Sequence, residues 1–333
     1  MKKSIALLMA IMMALSLVAC GGDTEGGNVA DDKGNVDGSY KIAIVKQMDH
    51  ASLNEISDAI EEELANLAES NNIEISCKVF SGQNDSTLLG QIGSQIVAED
   101  YDAVIPIATL AAQCMVTAME DTKTPVIFAA VSDPETAGIT GLDYVTGISD
   151  ALDTEMIMNM MLAQNPEIQT VGLLYSLSEP NSTKPIEQAK KFLDAKGLKY
   201  IEKTGNTNEE IIMAATSLGD QVEAIFTPTD NVVMAAELTL AELFISNGIP
   251  HYTGADSFVR NGAFVTCGVN YTNLGKVAAE MTIDVLEDGV VSEYRTMEGG
   301  IITVNTETAE AMKLDYSMFQ DMATIVEVTT SEN

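Results

Sequence analysis

Seven short polar segments carry the chemistry available to this sequence: Gln47 to His50, Ser81 to Ser86, Ala108 to Ala112, Ser132-Asp133-Pro134, Glu179 to Ser182, Thr229-Asp230-Asn231 and Ala255-Asp256-Ser257. Each follows a short apolar run, where a strand would end and the N–H groups of a following helix would be free to meet a ligand. Such groups hold a small polar molecule. They do not provide the parts for transforming one. His50 stands beside Asp49 without a Ser or Cys nucleophile motif for it to serve, and His251 lies inside an apolar run and reads as structural. With two histidines and neither HExxH nor GxSxG, the chain lacks both a nucleophile–base pair and a metal set, so no enzyme is expected. Neither GxGxxG nor GxxxxGK[ST] occurs at the turns from strand to helix, and no cofactor is expected. Cys77, Cys114 and Cys267 show no CxxC spacing, which indicates neither a disulfide framework nor a zinc site.

Holding these segments together takes alternating strands and helices. Lys41 to Val45 reads as a buried strand, and Ser52-Leu53-Asn54-Glu55 as a capping box opening a helix with Ile56, Ile60, Leu64 and Leu67 at the helical period. Ile73 to Phe80 alternates like a strand, and Leu88, Leu89, Ile92, Ile96 and Val97 mark a second amphipathic helix. AVIPIAT (103–109), a helix from about Ala111, PVIFAAV (125–131) and VTGIS (145–149) close the first series. The second has helices at 153–163, 183–195, 209–218, 232–246 and 274–288, with strands at 170–176, 199–204, 223–229, 250–254, 263–269 and near 301–305. The pattern predicts an α/β fold of two doubly wound parallel-sheet lobes joined by a hinge, with ligands beyond the carboxyl ends of the strands. Lobe 1 is expected over 40–149 plus 270–297 and lobe 2 over 150–269 plus 298–328. The crossings between them fall near Ser149 to Asp153, Gly268 to Asn270 and Thr296 to Gly299.

The first 19 residues read as a secretory signal, with Lys2 and Lys3 ahead of an apolar run too short for a stable span. Leu17-Val18-Ala19-Cys20 resembles a bacterial lipobox, which implies lipid attachment at Cys20 and an extracytoplasmic, membrane-anchored protein. Residues 20–39 form a flexible acidic tether rich in Gly, Asp and Asn. Among 333 residues, 46% are hydrophobic and 20% charged, ordinary globular usage despite a net charge of −33. The only arginines are Arg260 and Arg295, so nucleic acid is excluded as a partner, as is electrostatic adsorption to anionic lipid. The acidity lies along helices, as in Glu61-Glu62-Glu63, and reads as solvated faces that keep a tethered monomer soluble.

Together with the lipobox and tether, ATLAAQ (108–113), FAAVSDPETAG (128–138), VTGISD (145–150), SEPNS (178–182) and TPTDN (227–231) resemble the tryptophan/tyrosine-type substrate-binding lipoproteins of ABC importers. The resemblance spans roughly residues 40 to 320. It implies a type I periplasmic-binding-protein fold that closes on a small hydrophobic or aromatic amino acid, and a permease and ATPase as partners. For such a ligand, Thr109, Ala111 and Ala112 would admit a carboxylate to helix N–H groups, with Ser132 and Asp133 offering the same on the next strand. Thr109 and Ser132 also suit plain N-caps. Asp230 and Asp256 are the candidates for the ammonium group, Asp230 being equally placed to cap a helix and Asp256 to form an Asx turn. Asn181 and Ser182 would bond the ligand from the second lobe, Thr229 and Asn231 flank Asp230, and His50 would line the cleft. A sugar or nucleoside receptor on the same fold is the alternative, poorly served by a chain without Trp. An extracytoplasmic hydrolase is a more distant one.

Overall fold

The computed structural model describes residues 38–330. The signal segment, Cys20 and most of the tether lie outside the described residues. The first series runs β1 (Ser39–Lys46), α1 (Ala51–Asn71), β2 (Glu74–Ser81), α2 (Ser86–Ala98), β3 (Ala103–Ile107), α3 (Thr109–Ala118), β4 (Val126–Ala129) and β5 (Val145–Ser149). The second runs α4 (Thr154–Gln164), β6 (Thr170–Tyr175), α5 (Pro180–Lys196), β7 (Lys199–Thr204), α6 (Asn208–Leu218), β8 (Ala224–Thr227), α7 (Asn231–Met234), α8 (Glu237–Asn247), β9 (His251–Thr253), α9 (Asp256–Arg260) and β10 (Val265–Gly268). The chain then returns to the first sheet through α10 (Tyr271–Asp288) and β11 (Arg295–Thr296), and ends in the second with β12 (Ile301–Asn305), α11 (Thr306–Met312) and β13 (Thr324–Val328).

Two doubly wound α/β lobes result. The first sheet has the order β11-β5-β4-β3-β1-β2 and is parallel throughout. The second has the order β13-β12-β10-β9-β8-β6-β7 and is parallel except where β12 runs against β10. Burial follows strand position. In β3, β4, β5 and β8 every residue is buried, as helices on both faces require, whereas the edge strands β2 and β7 alternate toward solvent. The first strand starts at Ser39, one residue inside the expected tether.

Local differences from the sequence reading have local causes. No side chain caps α1; Ser52 lies within its first turn, buried and hydrogen-bonded to Ser257 of the second lobe, so the capping-box reading gives way to a contact between lobes. The helix expected over 232–246 is divided into α7 and α8. Short elements such as α9 and β11 span too few residues to show a period.

Two glycines fix how closely the layers approach. A Cβ on Gly147 would lie 2.2 Å from the Phe128 carbonyl oxygen, so only glycine lets β5 sit beside β4 in this way. On α10, a Cβ on Gly275 would lie 2.7 Å from the Ile56 carbonyl oxygen. Its absence lets α10 lie against α1 and brings the first residue of α10, Tyr271, to the hinge side of the cleft.

Candidate functional site

The strand ends of both lobes meet around one cavity. The first lobe lines it with His50, Ser52, Leu53, Ile56, Ala108, Thr109, Ala130, Ser132, Asp150 and Tyr271, the second with Asn181, Thr229, Asp230, Asn231, Met234, Ala255 and Phe258. The lobes are closed on each other: about 20 Å³ remains open to water centres, space for roughly one molecule. Direct hydrogen bonds cross the cleft. Gln47 Nε2 donates to Glu179 Oε1 at 2.7 Å, and its Oε1 accepts the Leu110 N–H at 3.0 Å. Asn231 Nδ2 donates to Glu179 Oε2 at 2.6 Å, while Asn231 Oδ1 meets His50 Nε2 at 2.9 Å.

That last pairing sets the chemistry of His50. An amide oxygen only accepts, so Nε2 carries the proton and Nδ1 is left as an acceptor. Nδ1 is buried and without a hydrogen-bond partner, as are Thr109 Oγ1 and Asn181 Oδ1, all on cavity-lining residues. The Asn181 amide is held in place because its Nδ2 donates to the Thr229 carbonyl at 2.5 Å. Buried polar atoms are rarely left unmatched, and these three, two of them acceptors only, ask for a ligand rich in donors.

Asp150 makes the same demand more strongly. It follows β5 directly, is 5% exposed, and accepts from Ser132 Oγ at 2.8 Å and from the Tyr271 hydroxyl at 2.9 Å. Since the Ser132 proton goes to Asp150, the 3.1 Å contact between Ser132 and Thr229 has the Thr229 hydroxyl as donor. No Lys, Arg or His among the described residues pairs with Asp150. Burial raises its pKa against the two hydroxyls that lower it. A buried carboxylate without a cation is costly, and a cationic group entering the cavity would relieve that cost.

The other aspartates are held by partners of their own, although Asp256 Oδ1 is buried without one. Asp230 is fully buried and its two oxygens accept four hydrogen bonds, from Ser176 N–H (2.7 Å), Ser182 Oγ (2.7 Å), Val232 N–H (3.1 Å) and Val233 N–H (3.0 Å). It therefore caps α7 and ties that cap to the start of α5. Asp256 does not line the cavity and pairs with Arg260 at 3.2 Å. Asp133 also lies off the cavity, holding Lys184 across the cleft at 3.1 Å. Ala111, Ala112 and Ser182 are buried behind the lining. Of the residues singled out in the sequence, His50, Thr109, Ser132, Asn181, Thr229, Asp230 and Asn231 come together at the cavity. Asp150 and Tyr271 were missed, although Asp150 closes the VTGISD segment and obeys the strand-end rule that found the others.

Backbone strain marks the same place. Ala108, the residue before α3, has φ 74° and ψ 165°, and Ala130, at the end of the neighbouring strand, has φ 55°. Left-handed backbone at non-glycine residues costs on the order of 1–3 kcal/mol and gathers at ligand sites. Both alanines line the cavity.

His50 and Glu179, joined through Asn231, are shifted in opposite directions. Burial is the main cause of both shifts: it pushes His50 down to about 4, and it raises Glu179, helped by the Asp230 charge. His50 thus supports the fold fully above its ordinary value of 6.5 and loses that support as pH falls through about 4, a contribution of about 3 kcal/mol. Glu179 acts in the opposite sense, with full support below its ordinary 4.5 that fades as pH rises through its raised value. In a plot of melting temperature against pH, H50Q is expected to flatten the acid limb and E179Q the alkaline one. Variant curves parallel to the wild type at every pH would refute this assignment.

The sequence model of a family described as ABC transporter substrate binding protein matches residues 41–318. A tyrosine-binding protein of Clostridioides difficile (strain R20291) is 26% identical over 322 residues, covering 94% of this chain and 93% of that one. The structure of an ABC domain in complex with L-Trp from Streptococcus pneumonia, 26% identical, superposes with a TM-score of 0.79 over 86% of this chain and 100% of that chain. A ligand-free, open substrate binding protein from Clostridium difficile, also 26% identical, reaches 0.65 over 88% of this chain and 100% of that one. At equal identity the ligand complex fits better than the open form, in keeping with lobes closed on each other.

Proposed function

The chain belongs to the ABC transporter substrate-binding protein family, and from that premise we propose that it captures a small hydrophobic or aromatic amino acid between its lobes and passes it to the permease of an ATP-driven importer. Members of this family are extracytoplasmic and bind substrates. The observation that carries the choice of ligand is Asp150, a buried carboxylate with two hydroxyl donors and no cation. An α-ammonium group supplies the missing charge, and His50 Nδ1 and Asn181 Oδ1 supply further acceptors. The ligand carboxylate lies toward the start of α3, where Gln47 takes the Leu110 N–H and Thr109 Oγ1 has no partner. Leu53, Ile56, Met234 and Phe258 form the apolar wall. The tyrosine-binding relative and the L-Trp complex support an amino acid of this class.

Closure is a population shift. Residues 40–149 plus 270–297 and 150–269 plus 298–328 are the moving lobes, and only the closed state lets one ligand satisfy both. The receptor is held at the membrane as a monomer by lipid on Cys20, the reading that the Leu17-Val18-Ala19-Cys20 segment supports. No described helix is long and apolar enough to cross a membrane. Titrating the mature protein with the twenty amino acids in a thermal-shift assay tests the reading. A true ligand at about 100 times its dissociation constant adds about 2.7 kcal/mol. Stabilisation by a sugar or nucleoside, with none from any amino acid, would replace this reading with the alternative ligand class.

A further inference from the structure

A second cavity lies behind the ligand cavity, among the chain crossings between lobes, with about 310 Å³ of water-accessible space. Gly254, Gly268, Gly299 and Gly300 line it with backbone alone, and Leu152 and Val269 add apolar walls. Asp150 and Tyr271 line both cavities and so form the wall they share. That wall is one aromatic ring and one hydrogen bond, from the Tyr271 hydroxyl to Asp150 Oδ2 at 2.9 Å. Its two halves come from different crossings: Asp150 follows β5, where the chain first leaves the first lobe, and Tyr271 opens α10, where it returns. With no ligand bound, the closed ligand cavity leaves room for roughly one water molecule, whereas the space behind the ring is larger and free of side chains along its glycine walls.

On the reading of the site as an amino-acid receptor, we propose that Tyr271 is the partition that sets the largest ligand side chain the site accepts, by closing the ligand cavity off from the hinge cavity behind it. The ligand's ammonium group is held by Asp150 on one side of the ring, so its side chain is directed along the same wall. Removing the ring joins the two spaces. Removing only the hydroxyl leaves the wall standing and alters the hold on Asp150. The two changes therefore read out differently: the first alters ranking by size, and the second alters all ligands together.

The test is calorimetric titration of the mature protein and its Y271A, Y271L and Y271F variants with alanine, leucine, phenylalanine and tryptophan. Y271F is expected to change every affinity by a common factor and keep the wild-type ranking. Y271A is expected to shift the ratio of tryptophan to leucine affinity toward tryptophan by tenfold or more. Y271L, which keeps part of the buried apolar bulk, should shift it in the same direction by less, and it carries the test if Y271A fails to fold. Ratios unchanged in the folded ring-deletion variant would overturn the partition while leaving the amino-acid reading intact. A wild type that binds none of the four would instead count against the reading on which the inference rests.

Discussion

Replacing Asp150 with asparagine is expected to weaken ligand binding by about a hundredfold or more while leaving the empty protein at least as stable as the wild type. The two halves of this result have one cause. Burial raises the Asp150 pKa above its ordinary 3.8, so the carboxyl contributes favourably only below that value, and its ionised form is a growing penalty as pH rises through the folded value. At neutral pH the empty site carries that penalty. Asparagine keeps the shape, accepts from Ser132 through Oδ1, and lets the Tyr271 hydroxyl turn and accept from Nδ2, so the network survives without the charge. Binding is another matter. A desolvated charge-assisted pair that loses one partner costs about 3 kcal/mol or more, which is about a hundredfold in affinity. Melting curves with and without saturating ligand check both halves. A variant that keeps the wild-type ligand shift would place the ammonium group elsewhere.

A site that is stabilised by losing its central charge is one whose charge serves the ligand. The same logic separates the three aspartates that strand-end position alone cannot rank. Asp256 has Arg260 four residues on, a helical spacing legible in the sequence, and the two pair locally as that spacing predicts. Asp230 precedes an apolar helix start and caps it, the plainer of its two sequence readings. Asp150 has neither a local cation nor a helix start to cap, and its donors lie 18 and 121 residues away.

Distance along the chain divides what could be read from what could not. The alternation of apolar runs and amphipathic stretches is local, so the strands, most helices and the two lobes were legible, and with them Thr109, Ser132, Asn181 and Thr229 at strand ends. The pairing of Tyr271 with Asp150 depends on two crossings converging at the hinge, which no window of sequence contains. The apolar wall was also hidden. Leu53, Ile56 and Phe258 sit on helices at positions that look like ordinary core, and only closure of one lobe on the other turns those faces toward a ligand. Phe80, Tyr175 and Phe226, equally near strand ends, do not line the cavity. The edge strand β2 was readable from alternation, the edge strands β11 and β13 were not read at all, and the antiparallel direction of β12 was hidden because its residues are as apolar as those of its parallel neighbours.

Asp230→Ala is expected to cost about 3–5 kcal/mol of stability and roughly 10 °C in melting temperature. Its carboxylate is the shared acceptor of two backbone N–H groups at the start of α7, one after β6 and the Ser182 hydroxyl of α5. Alanine strands all of them, the serine alone being free to turn, in a place with no exposure to water. Relief of repulsion with Glu179, whose pKa Asp230 helps to raise, offsets part of the loss. Asparagine should cost about half as much: its Oδ1 caps Val232 and Val233, the Ser182 hydroxyl can rotate to accept, and only the Ser176 N–H is left facing the Nδ2 donor. The discriminating measurement is the ligand shift in D230N at a temperature where the variant is folded. As a cap, Asp230 can lose its charge and the shift persists; as the ammonium partner, it could not, and D230N would then behave like D150N in binding. Because the two substitutions are the same chemical change at positions on opposite lobes, the pair isolates where the ligand's positive charge is held from how the lobes are built.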